Sequence, residues 1–472
     1  MGRNAKAKMH NAEVKHPAAS RGASLRNPAK PRGPFIPVAT CPQCYAQRRR
    51  GHRAFWRRRV NTTPRYLSAQ IVSRWLASGE FPSRLLNKIG KDRAFATELV
   101  YGVVRWKRLL EWCLRQLVKQ KPSPTLLNAL LLTGLYQILM MENVEEYAVV
   151  NETVEAAKFS FSSKQGDFVN AVLRRVVSEK KQIHEKIENL PPGIKYSHPD
   201  LLIGRWTKHF GEKETERLCV WNNSRPDIII RLNTMMTTWR DSSPCLFKDI
   251  PAHKHFLKAP RGLKIEDLPG YREGLFLVVD PFVQNSVELL APNPGENVLD
   301  ACAAPGGKTF LIAEKMRCQG RLTAMDVNEE RLKVLRQNLS RLQIENFVEV
   351  KKSDILNPAI FADQKFDRIL ADVPCSNTGV IRRKPDVRWR FNLKSLGMLV
   401  EAQNKMLDQL SGLLKTGGTL VYSTCSLEPE ENQMLIASWL EKNPSFCLIE
   451  ERRFFPPESG TDGGYAVVIR RR

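Results

Sequence analysis

One stretch decides the fold that this sequence predicts: residues 297–309, NVLDACAAPGGKT. A short apolar run ends in Asp300, and a turn of small residues follows before a helical pattern begins near Gly307. Such a strand–turn–helix junction lets the backbone approach a ligand closely, and the amides at the helix start can hold a polar group. The stretch therefore predicts a cofactor site at the end of a strand.

The same turn resembles the end of a phosphate-binding P-loop, because Gly307, Lys308 and Thr309 match its last residues. The first glycine of that motif would fall at position 302, which is Cys302. The spacing therefore argues against a nucleotide hydrolase, and the dinucleotide-binding fingerprint G-x-G-x-x-G is also absent from this turn.

Beyond about residue 280, predicted strands alternate with predicted helices. This alternation predicts an α/β domain with a doubly wound, parallel-type sheet over residues 280–472. Helices are expected at 329–342 and 399–413, among others. The predicted strands are 297–301, 321–326, 347–351, 366–372, 418–423 and 465–470.

Three acidic residues, Asp326, Asp354 and Asp372, close the second, third and fourth of these strands. In a doubly wound sheet the carboxyl ends of parallel strands meet at one edge, where an acid can accept hydrogen bonds from a ribose diol. Asp326 suits that role, and Asp354 could accept from an adenine amino group. The three acids and the glycine turn together predict an adenosine cofactor across this edge.

Two cysteines, Cys375 and Cys425, follow the fourth and fifth predicted strands and are expected at the same edge. A thiolate that adds to C6 of a pyrimidine makes the neighbouring C5 nucleophilic enough to take a methyl group from a sulfonium. A second group then removes the C5 proton and the thiol leaves. Asp372 could hydrogen-bond the ring and stabilise the adduct. The residues alone leave the roles of the two cysteines exchangeable.

The remainder of the chain divides into three further parts. Residues 1–60 contain fifteen Lys or Arg residues and one acid, Glu13, and are predicted to be a disordered basic extension. Residues 64–190 show helical spacing of apolar residues and predict an all-helical domain, and residues 197–279 predict a small α+β linker module. The formal net charge of +25 favours a nucleic acid as partner.

The cysteine pattern and the hydropathy indicate in which compartment the protein is expected and whether it is expected to bind a metal. Ten scattered cysteines suit a reducing compartment, and neither a signal peptide nor a membrane span is expected, which predicts a cytoplasmic protein. Cys41 and Cys44 form a lone pair without two further ligands, so no metal site is predicted. A monomer is favoured.

Several motifs in order resemble the NOL1/NOP2/Sun family of RNA (cytosine-5) methyltransferases, closest to its bacterial Sun/RsmB branch that acts on small-subunit rRNA. The resemblance covers roughly residues 64–472. Asn151, Glu152 and residues 168–175 resemble later helices of the NusB-like domain that the family carries first. The motifs of the second half are DACAAPGGKT (300–309), DVPCS (372–376), GVIRR (379–383), STCS (423–426) and PEEN (429–432).

This resemblance implies a NusB-like, RNA-binding helical domain at 64–190 and a Rossmann-like methyltransferase domain at 280–472 that uses S-adenosylmethionine. It implies structured RNA, in particular 16S rRNA, as the partner. Cys425 is implied as the nucleophile, Cys375 as the residue that assists product release, and Asp326, Asp354 and Asp372 as ligands of the ribose, adenine and methionine portions. The implied cofactor loop consists of Cys302, Ala303, Ala304, Pro305, Gly306, Gly307 and Lys308.

Overall fold

The computed structural model describes residues 63–472 except Lys88, Lys91 and the segments 237–245 and 357–363. The basic extension predicted at 1–60, including Cys41 and Cys44, lies outside the described residues. Within them, no helix has both the length and the apolar character needed to cross a membrane.

The first part of the described chain is helical and packs around an apolar core, as the spacing of its apolar residues predicts. The helices are Pro64–Ser78, Pro82–Leu86, Arg93–Leu117, Thr125–Met140, Glu146–Ser160, Ser163–Glu188 and Pro192–Lys195.

The helix Thr125–Met140 lies at the centre of this core and is buried on most sides. Gly102 lets the helix Arg93–Leu117 approach it closely, since a Cβ at Gly102 would lie 2.0 Å from the ring of Tyr136. The Tyr136 hydroxyl donates a hydrogen bond of 2.6 Å to Glu98. An apolar helix without charged residues is therefore accommodated as a buried element rather than a membrane span.

A mixed module follows, in which helices Asp200–Phe210 and Glu212–Asn223 precede a small antiparallel sheet. Its strand order is β2-β3-β1-β4, with β1 at Ile229–Leu232, β2 at Lys248–Asp249, β3 at Phe256–Lys258 and β4 at Phe276–Val278. The sequence predicts a small α+β module in this region. It does not predict β2 and β3, because two or three residues are too few to show the alternation of a strand.

The last part contains a seven-stranded sheet with the order β10-β11-β9-β8-β5-β6-β7. Strands β5 to β9 pair in parallel. The bounds are Asn297–Asp300 (β5), Arg321–Asp326 (β6), Val348–Lys352 (β7), Phe366–Asp372 (β8), Leu414–Thr424 (β9), Phe446–Phe454 (β10) and Gly464–Arg471 (β11).

The sheet departs from the predicted parallel type at one side, where β11 is antiparallel to β9 and β10 is antiparallel to β11. The connection from β10 to β11 covers only residues 455–463, which is too short for a parallel crossover. Strand β10 is absent from the predicted strands because it lies at the edge and reads LIEERR, a charged and largely exposed run.

Helices cover this sheet, and the sequence predicts the bounds of two of them. The helix Glu329–Arg341 matches the predicted 329–342, whereas Leu393–Gly412 begins six residues before the predicted start. Asn392 explains the earlier start, because its side chain caps the helix by accepting from the Ser395 amide. The other helices of at least nine residues here are Phe282–Leu290, Gly307–Lys315 and Gln433–Lys442.

Three consecutive residues, Arg388, Trp389 and Arg390, fasten the methyltransferase-like part to the preceding segments. Arg388 is fully buried. Each side chain donates to a main-chain carbonyl outside its own segment, so the position of the helical part beside residues 375–390 is fixed by directed bonds. The acceptors are, in order, the carbonyl oxygens of Ser197 (3.0 Å), Val104 (2.7 Å) and Gly79 (2.8 Å).

Candidate active site

The small-residue turn lies between β5 and the helix Gly307–Lys315, as the sequence predicts. Gly306 has φ 105°, and a Cβ there would lie 2.6 Å from the side chain of Leu335. A glycine is therefore required at this position for both conformation and space. Residues 302–308 line a cavity of about 380 Å³ together with Asp372.

Asp300 stabilises this turn through a hydrogen bond. Its carboxylate is fully buried and accepts a 2.7 Å hydrogen bond from the Thr309 hydroxyl, which joins the end of β5 to the start of the helix. Burial raises the pKa of Asp300 to about 7. Asp300 and Thr309 both belong to the quoted stretch, yet the sequence alone assigns neither a role.

The three strand-end acids lie at the carboxyl ends of β6, β7 and β8. Asp326 is buried, and its Oδ1 accepts from the Asn328 amide at 2.9 Å. Asp354 is exposed and its Oδ1 accepts from its own loop at Leu356. The half-buried Asp372 lies on the other side of β5.

Lys308 and Asp372 meet above the turn. The Lys308 ammonium lies 2.5 Å from Asp372 Oδ2, and the lysine side chain is only 11% exposed. This ion pair connects the predicted cofactor loop with the strand that leads to Cys375. Lys308 and Asp372 therefore link the predicted cofactor loop to the predicted cysteine site.

Cys375 and Cys425 approach each other closely at this edge of the sheet. Their Sγ atoms are 3.3 Å apart, and both cysteines are free. Hydrogen bonding to Cys425 and burial raise the pKa of the Cys375 thiol well above its usual value. The Cys425 thiol is also 3.3 Å from Asn377 Oδ1. Cys375 is therefore held as a thiol, with Cys425 the more accessible sulfur.

Glu431 joins the two cysteine loops. This fully buried carboxylate accepts hydrogen bonds from the Ser376 amide (2.8 Å), from the Ser376 hydroxyl (2.5 Å) and from the Ser426 hydroxyl (2.5 Å). Gln403 donates a further bond of 3.0 Å to it. Because each serine directly follows one cysteine, Glu431 sets the distance between the two thiols.

Gly379 and Gly463 bring a third loop against the Cys425 backbone. The Gly379 amide donates to the Cys425 carbonyl at 2.9 Å, and a Cβ at Gly379 would lie 2.2 Å from the Gly463 carbonyl oxygen. Nearby, the Arg383 guanidinium bonds Asp462 at 2.9 Å and Asp280 at 2.5 Å. The GVIRR motif thus holds the cysteine loops in place rather than facing the cavity.

The structure brings together most of the residues that the sequence singles out. Cys375, Cys425, Asp372, Lys308 and the turn 302–307 lie at one edge of the sheet, while Asp354 is more peripheral. The sequence reasoning missed the contributions of Glu431, Asn377, Ser376 and Ser426. Their proximity to the two cysteines in the chain is the signal that could have indicated them. Within the described residues, no cluster of three or more His, Cys, Asp or Glu side chains could hold a metal ion.

Three family models match the chain. The model described as 16S rRNA methyltransferase RsmB/F matches residues 287–466, and the NusB family matches residues 62–178. A ferredoxin-like domain of RsmF/B-like methyltransferases matches residues 198–267. The fold class predicted from the sequence, a NusB-like helical part followed by a Rossmann-like methyltransferase, is confirmed.

Among curated proteins, ribosomal RNA small subunit methyltransferase B of Yersinia pseudotuberculosis is 34% identical over 429 residues, covering 86% of this chain and 98% of that protein. The crystal structure of a methyltransferase homologue from Pyrococcus horikoshii has a TM-score of 0.52 and 29% identity, and covers 60% of this chain and 98% of its own. The crystal structure of PH0851 has a TM-score of 0.72 at 24% identity, with coverages of 86% and 98%, and shares the fold. The chain therefore belongs to the RsmB/F family of 16S rRNA methyltransferases.

Proposed function

We propose that this protein methylates carbon 5 of a cytosine in 16S rRNA with S-adenosylmethionine, through a transient covalent bond between Cys425 and C6 of the base. The observation that carries the proposal is the 3.3 Å contact between the Sγ atoms of Cys375 and Cys425. It occurs beside a turn whose small residues suit a cofactor. Two thiols in contact at this edge match a reaction that needs one sulfur to add and a second group to assist elimination.

The residues around the turn fit S-adenosylmethionine. Asp326 Oδ2 is buried and accepts no hydrogen bond from the described residues, although it lies 3.5 Å from the Arg331 guanidinium. An unsatisfied buried carboxylate oxygen at a strand end is suited to a ribose hydroxyl. We propose that Cys302 to Lys308 hold the methionine portion with Asp372, and that Asp354 holds the adenine. When bound, the cofactor supplies an electrophilic methyl group.

Cys425 is proposed as the nucleophile because of the difference between the two thiols. Cys375 is buried and its pKa is raised, whereas Cys425 is partly exposed. The Cys425 thiolate adds to C6, so that electron density moves to C5, which takes the methyl group. We propose that Asp372, which lies 2.5 Å from the Lys308 ammonium, hydrogen-bonds the ring during this addition.

Product release requires loss of the C5 proton and cleavage of the bond between Cys425 and C6. We propose Cys375 as the group that assists this step. Its hydrogen bond to Cys425 is the largest cause of its raised pKa, and that bond is lost when Cys425 is bonded to the base. We propose that Cys375 then gives up its proton to water and, as thiolate, accepts the C5 proton. The electrons of the C5–H bond re-form the C5–C6 double bond while Cys425 departs as thiolate.

The target cytosine must leave its stack to reach the two sulfur atoms at the edge of the sheet, so the substrate is proposed to present it in an unpaired or opened segment. The described cysteines are all free, which fits a reducing compartment, and we propose the cytoplasm as the location.

The direct test is to incubate the protein with unmodified 16S rRNA and isotopically labelled S-adenosylmethionine, and to identify the labelled nucleoside by mass spectrometry. The expected product is 5-methylcytidine. A label on a ribose, on an exocyclic amine or on another base would overturn the proposal.

A further inference from the structure

A second cavity opens beside Cys375, outside the cofactor cavity, and measures about 850 Å³. One wall belongs to the helical segment and includes Phe81, Arg84 and Tyr101. The opposite wall belongs to the methyltransferase segment and includes Lys384, Arg390 and Cys375. We call this cavity the interdomain cleft. Its volume lies within the range of ligand-binding clefts, roughly 300–1,000 Å³.

The interdomain cleft is basic. Of the described residues that line it, Arg84, Arg331, Lys384 and Arg390 carry positive charge, and Asp386 carries negative charge. Asp386 is buried and paired with Arg390 at 3.2 Å, so its charge is compensated. The remaining positive charge suits a polyanionic chain that passes the catalytic thiols.

Phe81 is an exposed aromatic ring that two arginines contact on the wall of this cleft. The ring is 43% exposed, and the guanidinium carbons of Arg390 and Arg84 lie 3.5 and 5.2 Å from its centroid. Arg390 is itself held by its bond to the Gly79 carbonyl at 2.8 Å. A large apolar ring that is left accessible but immobilised by cations is suited to stacking rather than to core packing.

The Phe81 ring also has a fixed position relative to Cys375. Arg388 and Trp389, next to Arg390, bond main-chain carbonyls of the preceding segments, so the two walls of the cleft do not depend on a flexible linker. A base stacked on Phe81 would therefore lie at a set distance from Cys375.

We infer that Phe81, with Arg84 and Arg390, forms a stacking platform for an unpaired RNA base next to the target cytosine. This inference rests on the proposed function and assigns the helical segment a direct part in presenting the substrate. The exposed part of the Phe81 ring contacts the base, Arg390 holds the ring in place, and the Arg84 guanidinium contacts an adjoining phosphate. RNA is the favoured occupant because the cleft combines positive charge, an exposed ring and continuity with the thiols.

The test measures the affinity of the full chain for transcribed 16S rRNA in filter-binding assays at several salt concentrations. Phe81→Ala should weaken binding about 10-fold or more, and Phe81→Trp should restore it, since either aromatic face can stack on a base. Arg84→Ala should weaken binding. It should also reduce the slope of log affinity against log salt concentration by about one, as expected for one fewer released counterion. S-adenosylmethionine affinity and thermal stability should not change in these variants.

Two matched controls come from the helical segment. Tyr147 is 78% exposed and lines a different cavity, so Tyr147→Ala removes an exposed aromatic ring elsewhere. Arg115 is exposed and lies fourteen residues beyond Tyr101 on the same helix, or roughly 21 Å along its axis. Both control variants, Tyr147→Ala and Arg115→Ala, should bind 16S rRNA as the wild type does.

Wild-type affinity in both Phe81→Ala and Arg84→Ala would overturn the inference. So would a loss of affinity in Phe81→Ala that appears only with an assembled ribosomal particle and not with free rRNA, because the occupant would then be a protein. If the wild type binds rRNA through Phe81 but makes no 5-methylcytidine, the proposed function fails and the platform stands. If it makes 5-methylcytidine and Phe81→Ala binds normally, only the platform fails.

Discussion

The Sγ atoms of Cys375 and Cys425 lie 3.3 Å apart, although fifty residues separate the two cysteines in the chain. Each follows a parallel strand, β8 or β9, and these strands are neighbours in the sheet. The contact therefore follows from strand order: two loops that leave adjacent strands at the same edge must meet.

Replacing Cys425 should remove the nucleophile without disturbing the cofactor cavity. We expect Cys425→Ala to lower the rate of methyl transfer by about 10³-fold or more, because the C5 carbon is then not activated. S-adenosylmethionine affinity, measured by calorimetry, should be unchanged. Residual transfer within tenfold of the wild type would remove Cys425 from the nucleophile role.

Glu431 should act on catalysis through the positions of the two thiols. Glu431→Gln keeps the volume but turns one acceptor oxygen into a donor, so the Ser376 and Ser426 hydroxyls must reorient. We expect kcat to fall about 10-fold or more, with little change in the KM for S-adenosylmethionine.

The neighbouring Glu430 offers a matched control for this variant. It pairs with Arg205 at 2.7 Å, away from the serines, and Glu430→Gln should retain nearly full kcat. Equal losses of kcat in both variants would mean that Glu431 has no special effect on the thiols.

Asp326 should determine cofactor affinity. Asp326→Asn removes the charge from a buried carboxylate whose Oδ2 has no hydrogen-bond donor among the described residues. Hydrogen bonds to charged groups contribute about 1.5–3 kcal/mol, which predicts a Kd for S-adenosylmethionine raised about 10- to 100-fold. Glu330→Gln, an exposed change four residues along the chain, is the control. An unchanged Kd in Asp326→Asn would contradict the assignment.

The buried Asp300 should make stability depend on pH. Burial raises its folded-state pKa from 3.8 to about 7, so the folded state holds this proton more tightly than the unfolded state does. Its stabilising contribution is therefore present below pH 4 and is lost as pH rises through 7. Between pH 5 and pH 7 the free energy of unfolding of the wild type should fall by about 2 kcal/mol relative to Asp300→Asn. Urea titrations at both pH values measure this difference, and a constant difference would show that Asp300 does not titrate in this range.

The edge of the sheet that carries the two cysteines was largely predictable from the sequence because it depends on local patterns. Apolar runs that end in Asp300, Asp326 or Asp372 mark parallel strands, and parallel strands place their carboxyl ends together. The turn at 302–308 and the two cysteines follow from the same rule. The predicted side-chain positions at this edge thus required no knowledge of long-range contacts.

Other features depend on contacts between residues that are far apart in the chain. Such contacts leave little local pattern in the sequence. Glu431 bonds Ser376, which is fifty-five residues away, and nothing in the PEEN motif alone indicates that its second glutamate is buried. The antiparallel edge strand β10 is charged and exposed, so it lacks the apolar alternation that marks a strand. The contacts of Arg388 with Ser197 join parts of the chain whose relative placement no periodicity encodes.

The central claim is a bond between a protein sulfur and the RNA base, and trapping that bond tests it most directly. Cys375→Ala is incubated with 16S rRNA and S-adenosylmethionine and analysed on a denaturing gel. We predict a slowly migrating protein–RNA species, because elimination stalls after Cys425 has added to C6, and its loss in the double variant Cys375→Ala/Cys425→Ala. A trapped species in Cys425→Ala instead, or unimpaired turnover by Cys425→Ala with no trapped species in any variant, would contradict the account.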